Sequence, residues 1–213
     1  MTTRSILRND LADLKQKVFN LGEKCIEISD LLNTILHTYS DNLQKNASQL
    51  ADSINKESKE LNKRCFMVLS LQQPLIKDLR LVIGSLQIIL IIEKIKDYFK
   101  AALPLFPTVN QISLPLKEDL SKLILLIQNT LKICITFYIS CNPDSTNELK
   151  ALANQISFTH DLIYKNLLSQ ETANQENTRT DITQIIEIIR ILEKIGDLSI
   201  NISEQVDYII LGD

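Results

Sequence analysis

A chain of 213 residues with 45% hydrophobic and 23% charged residues has the composition of a globular protein that buries a core in one domain or two small ones. Its formal net charge of -3 excludes a general electrostatic attraction to nucleic acid or to an anionic membrane and leaves only local basic patches. Four glycines and five prolines, in a chain rich in Leu, Ile, Lys, Glu and Gln, supply too little turn chemistry for a many-stranded sheet, so helices are expected.

The segment Met1 to Lys17 has no apolar core of signal-peptide length, and the apolar run Ile88 to Ile92 is far too short to span a bilayer. A cytoplasmic protein is the expectation. The first helix is marked by Leu7, Leu11, Leu14, Val18, Leu21, Cys25, Ile28, Leu32, Ile35 and Tyr39, which recur at spacings of four and three and so line one face. Ser40-Asp41-Asn42 interrupts it with cap-forming residues. A second helix resumes with Leu43, Ala47, Leu50, Ile54, Leu61 and Val68, its seam position 57 holding a glutamate.

At Gln72-Gln73-Pro74 the backbone must turn, because proline disfavours helical geometry in the residue before it. The third helix carries Leu79, Val82, Leu86, Ile89 and Leu90 on its expected inner face, and that stripe leads on to Glu93 and Asp97. Pro104, Pro107 and Pro115 then crowd the segment up to Leu116. The expected organisation is a three-helix unit over 1–103, a linker over 104–116 and a second unit over 117–213.

The second unit repeats the plan. Its first helix, from about Pro115 to Cys141, rests on Leu116, Leu120, Leu123, Ile127, Leu131 and Cys134, and Asn142-Pro143-Asp144 stops it. The next carries Leu149, Leu152, Ile156, Ile163 and Leu167, followed by a polar stretch from Gln170 to Thr180. The last carries Ile182, Ile186 and Ile189, then Glu193 and Asp197, then Ile200. Glu93-Lys94-Ile95-Lys96-Asp97 and Glu193-Lys194-Ile195-Gly196-Asp197 occupy corresponding third helices. A duplication, and hence a pair of three-helix bundles side by side, follows; the period is too long for a solenoid of short repeats.

Residues four apart share a helix face, so each Glu-xxx-Asp pair presents both carboxylates in one direction. Continuing an apolar stripe, at least one of them is expected to face a neighbouring helix or its groove. Such an acid avoids the cost of burial by exposure, by pairing with a cation, or by binding a metal. Oxygen donors on facing helices suit magnesium, manganese or iron. Gly196, at a helical cost of about 1 kcal/mol relative to alanine, signals either close packing or an ion needing room, and Asn201 and Glu204 lie further along much the same face. Its counterpart Lys96 carries an ammonium able to neutralise a neighbouring acid.

The two histidines, His37 and His160, are too few for a His-rich centre, and His160 stands beside Asp161. The ExxH signature of di-iron bundles, a nucleophile elbow, a glycine-rich phosphate loop and a metalloprotease motif are all missing from the sequence. Nothing argues for turnover. Cys25, Cys65, Cys134 and Cys141 make no CxxC pair and fall at apolar helix positions, which reads as reduced core thiols.

Leu71-Gln72-Gln73-Pro74 followed by Asp78-Leu79-Arg80 resembles the QP-xxx-DLR segment of the PhoU family. Glu93 through Asp97 resembles that family's first ExxxD motif, and Arg190 through Asp197, with Asn201, Glu204 and Gly212, its second. Departures gather in the first repeat: Ile91 replaces an acidic or polar residue, Lys96 replaces glycine and Gln87 stands where lysine is common. In the second, Leu198 stands where histidine is frequent.

The resemblance implies an all-α fold of two pseudo-symmetric three-helix bundles that assembles as a homo-oligomer, a dimer being favoured. It also implies a metal held by Glu193 and Asp197, with Asn201 or Glu204 nearby and Asp161 from the fifth helix a weaker candidate, and less by Glu93 and Asp97; iron, manganese, magnesium and zinc stay open. The implied role is a non-enzymatic negative regulator of phosphate uptake and of the phosphate-starvation response. It would act between the ATPase of the Pst phosphate transporter and a PhoR-type sensor kinase, without nucleic acid, meeting the membrane only through those partners. A carboxylate-bridged metal-binding or metal-storage bundle is the alternative, and a structural bundle whose acids form salt bridges a third.

Overall fold

The four-and-three spacing of the first segment becomes the inner face of α1 (Thr3–His37), where Leu14, Val18, Leu21, Cys25, Ile28, Leu32 and Ile35 are fully buried. This computed structural model describes residues 3–109, 112–141, 146–171 and 179–212. Five further long helices follow: α2 (Asp41–Gln72), α3 (Ile76–Ala102), α4 (Leu114–Ser140), α5 (Thr146–Glu171) and α6 (Arg179–Leu211). The described residues contain no strand. The fold is all-α.

Helices α1, α3, α4 and α6 form a continuous central layer, with α2 laid against α1 and α3 on one side and α5 against α4 and α6 on the other. The two repeats are therefore joined by the pairs α1–α4 and α3–α6. Both pairs run antiparallel. Lys15 of α1 lies beside Cys141 at the end of α4, while the Ser121 hydroxyl near the start of α4 donates to Asn33 Oδ1 near the end of α1 at 2.8 Å. In the other pair, Gly84 meets Ile209 and Asp97 shares a groove with Asp197.

Close approach between the repeats is achieved by glycine. A Cβ at Gly22 of α1 would overlap the side chain of Ile135 in α4, and one at Gly84 of α3 would overlap Ile209 in α6. Each aliphatic side chain buried across this layer contributes about 1.5–3 kcal/mol relative to exposure. A fully buried polar link crosses the same layer: Ser85 of α3 and the Tyr138 hydroxyl of α4 lie 2.7 Å apart, and Ser85 also donates to the Leu81 carbonyl. The helix α4 has the length and apolarity of a membrane span, but half of its apolar window is buried against other helices.

The inner faces expected for α4 and α5 are the buried ones, Leu116 through Cys134 and Leu149 through Leu167. The stripe expected on α3 is buried only at Val82 and Ile89. Leu79 and Leu90 are exposed and Leu86 is half-buried; the buried face is Val82, Ser85, Ile88, Ile89, Ile92, Ile95, Lys96 and Phe99. This helix is apolar nearly all round and packs against α1, α2 and α6 together, so spacing alone does not select its seam. On α2 the buried seam residue is Ser58, while Glu57 is half-exposed and pairs with Lys24 of α1.

Between α3 and α4, Leu103–Leu105 forms a 3-10 turn and Phe106–Val109 a further helical turn. Leu103, Phe106 and Val109 are buried, and Gln44 donates to the Leu103 carbonyl at 2.9 Å. The proline-rich segment thus packs onto the bundle along part of its length.

Candidate functional site

The antiparallel pairing of α3 and α6 brings the two acidic motifs to one place. Lys94, Asp97, Tyr98 and Ala101 stand opposite Lys194, Asp197 and Leu198 around an open groove of ≈ 540 Å³. The motifs are also equivalent in burial: in both, the glutamate is half-buried, the following lysine exposed, the next two residues buried and the aspartate exposed. The aspartates face the groove, whereas each glutamate meets the outer helix of its own repeat.

In the first repeat the Ser58 hydroxyl of α2 donates to Glu93 Oε1 at 2.5 Å. The buried Lys96 reaches Asp97 Oδ1 at 2.6 Å, and Lys100 reaches Asp52 of α2 at 2.7 Å. In the second, His160 of α5 lies between two acids, with Nε2 3.4 Å from Glu193 and Nδ1 3.2 Å from Asp161. Its ring stacks on Tyr164. Lys194 pairs with Asp197 at 3.2 Å, and that hydrogen bond holds the exposed Lys194 ammonium above its ordinary range.

The expected ligand set is not assembled into a cluster. Asp161, Asp197, Asn201 and Glu204 are exposed, and among the described residues no three His, Cys, Asp or Glu side chains converge with the spacing of a metal site. The space beside Gly196 is not room for an ion, contrary to one reading of that glycine: a Cβ there would lie 3.0 Å from Ile156 Cγ2 and 3.8 Å from Ile127 Cγ1. Close packing of α6 on α5 and α4 is what the glycine serves. Glu93, Asp97, Glu193 and Asp197 each lie within reach of a serine, lysine or histidine of the chain itself.

The thiols divide in two. Burial pushes Cys25, Cys65 and Cys134 each up to about 12, with Lys96 pulling Cys25 slightly the other way. Cys141 departs from the expectation of a core thiol: it is half-buried at the left-handed C-cap of α4, its Sγ 3.2 Å from the Lys15 amine. Arg80 is half-buried and lies against Gly212, whose φ of 88° places it in the left-handed region beyond the end of α6.

Ser58 and the exposed apolar turn between α2 and α3 escaped the sequence reading. A serine in a seam otherwise made of Ala47, Ala51, Ile54 and Leu61 was the available signal for the first.

A duplicated three-helix bundle, with an acidic motif on the third helix of each copy and the two motifs facing across one groove, defines the class of protein. The PhoU domain model matches residues 18–101 and again 120–206, and the chain belongs to the PhoU family. It is 23% identical over 216 residues to the "Phosphate-specific transport system accessory protein PhoU homolog" of Clostridium acetobutylicum, covering 99% of this chain and 96% of that one. The protein of the same description from Synechocystis is 22% identical, with 98% and 93% covered. Among solved structures, PhoU from Pseudomonas aeruginosa superposes with a TM-score of 0.89 at 18% identity, covering 97% of this chain and 99% of that one. The phosphate transport system regulatory protein PhoU from Streptococcus pneumoniae gives 0.85 at 20%, covering 97% and 98%. These likenesses extend over both repeats and show the shared fold.

Proposed function

We propose that this chain is a cytoplasmic, non-enzymatic regulator of phosphate uptake, binding the ATPase of a Pst-type phosphate transporter and a PhoR-type sensor kinase and lowering both uptake and the starvation response. The observation that carries the reading is the double match to the PhoU domain, together with relatives described as transport-system accessory proteins. The geometry is compatible with it. Rigid helices of 26 to 35 residues offer large recognition faces, and the acids of the two motifs are engaged by side chains of the chain itself. A groove lined by Lys94, Lys194, Asp97, Asp197, Tyr98 and Leu198 provides charge of both signs around an apolar floor, which suits recognition of a partner helix. Self-association as a dimer belongs to the same reading.

The test is co-purification of the chain with the transporter ATPase and the sensor kinase from cells at high and low phosphate. It is combined with phosphate uptake in cells lacking the gene. Uncontrolled uptake without the gene, and capture of both partners with it, are the expected results; unchanged uptake would reject the reading.

A further inference from the structure

The turn joining α2 to α3 is built unlike the rest of the surface. Within fourteen consecutive residues, Phe66, Met67, Leu71, Leu75, Ile76 and Leu79 are all exposed, and Leu71, Leu75 and Ile76 are 74%, 78% and 76% accessible. Leu75 and Ile76 project from the end of the helical hairpin, and Leu71 stands at the rim of a shallow groove that it shares with Met67, Val68 and Gln72. The backbone is strained there as well: Gln73 and the β-branched Ile76 have φ of 43° and 27°, a region such residues rarely adopt and which is retained where it serves function.

The fold does not demand this composition. The corresponding stretch of the second repeat, joining α5 to α6, reads Thr172-Ala173-Asn174-Gln175-Glu176-Asn177-Thr178 and contains no large apolar residue. An apolar turn in one copy, where the other has only small and polar residues in its sequence, marks the first as a surface with a partner of its own.

Cations flank the turn. Lys63 and Lys77 are exposed on the two helices that form it. Asp10 of α1 is bound by Gln72 and Arg64 of α2, which brings exposed Arg8 to the same end. Arg8, Lys63 and Lys77 form no ion pair among the described residues. Of the acids nearby, Asp10 is taken up, Asp78 is half-buried, and exposed Glu60 stands on α2 a turn before Lys63. Projecting aliphatic side chains with cations behind them match the layering of a bilayer surface, acyl chains beneath anionic headgroups.

We propose that the α2–α3 turn is a membrane-contact tip that inserts Leu71, Leu75 and Ile76 into the interface of an anionic bilayer, with Arg8, Lys63 and Lys77 on the headgroups. The chain's overall charge of -3 opposes approach of its other faces, so the tip also fixes orientation. Direct lipid contact of this kind goes beyond association through protein partners and stands independently of it.

The experiment is flotation of the full chain with vesicles of phosphatidylcholine alone and of phosphatidylcholine mixed with phosphatidylglycerol. Binding to the mixed vesicles is expected. It should fall about tenfold or more in Leu71→Ser/Leu75→Ser/Ile76→Ser, where the lost contacts are apolar, and also in Lys63→Glu/Lys77→Glu. The chain has no tryptophan, so Leu75→Trp supplies a reporter that needs no loss of fold, and its emission should shift to the blue on mixed vesicles. Absence of both flotation and shift would overturn the proposal. So would equal binding by the triple serine variant, or a finding that the turn instead mediates self-association in the absence of any vesicle binding. Capture of the transporter ATPase, measured separately, distinguishes failure of this proposal from failure of the adapter reading.

Discussion

Lys96 and Gly196 occupy equivalent positions in α3 and α6, yet the lysine sends its ammonium to Asp97 at 2.6 Å while the glycine lets Ile156 pack against the helix backbone. The same fold position thus serves ion pairing in one repeat and helix contact in the other. Lys96 is buried but Asp97 is largely solvated, so water screens the pair and its net contribution falls toward the about 0–1 kcal/mol of exposed pairs. Lys96→Met, which keeps the buried stem volume, is expected to change unfolding free energy by no more than about 1 kcal/mol. Urea denaturation checks this, and a loss several times larger would mean that the ammonium is a structural requirement.

Glycine substitutions are expected to separate by their neighbours. Gly22→Ala places a methyl into the fully buried Ile135 and should cost about 1–3 kcal/mol. Gly196→Ala meets its nearest atom at 3.0 Å, and its gain in helix propensity of about 1 kcal/mol offsets much of the crowding. Thermal melting of the two variants should therefore show a clear drop for the first and little change for the second.

Buried thiols predict an alkaline limit to stability. Cys25, Cys65 and Cys134 are raised from 9.0 to about 12 in the folded chain, so above pH 9 the unfolded state loses protons that the folded state keeps. Their contribution is complete below pH 9 and is lost as pH rises from there toward 12. Urea midpoints measured across this range should fall, and Cys→Ala substitution at these positions should flatten the decline. At neutral pH in the native state, a thiol reagent should react fast with Cys141 and slowly with the other three.

Carboxylates already matched by Lys96, Lys194, Ser58 and His160 predict indifference to added cations. Neither chelator nor manganese should move the melting temperature. A manganese-induced rise that disappears in Glu193→Gln/Asp197→Asn would instead establish a metal site in the second repeat, and one that disappears in Glu93→Gln/Asp97→Asn a site in the first.

Helix order and boundaries were legible because one-sided helices such as α4 and α5 write their buried face directly into the spacing of Leu and Ile. Lys94, Asp97, Lys194 and Asp197 were identifiable as equivalent from the chain alone, but their meeting in one groove depends on the antiparallel α3–α6 contact, which spacing within a helix does not encode. The seam of α3 was legible only at Val82 and Ile89, because apolar residues surround the helix and three helices cover it. Gly196 was ambiguous for a related reason: a missing side chain leaves space in sequence that only the packed Ile156 fills.

The measurement that tests the central account most directly is starvation-gene output in cells whose chromosomal copy carries a folded variant that no longer associates with either the transporter ATPase or the sensor kinase. If the chain regulates by binding, output in those cells at high phosphate should rise to the level of cells lacking the gene. Normal repression in the absence of all such association would contradict it.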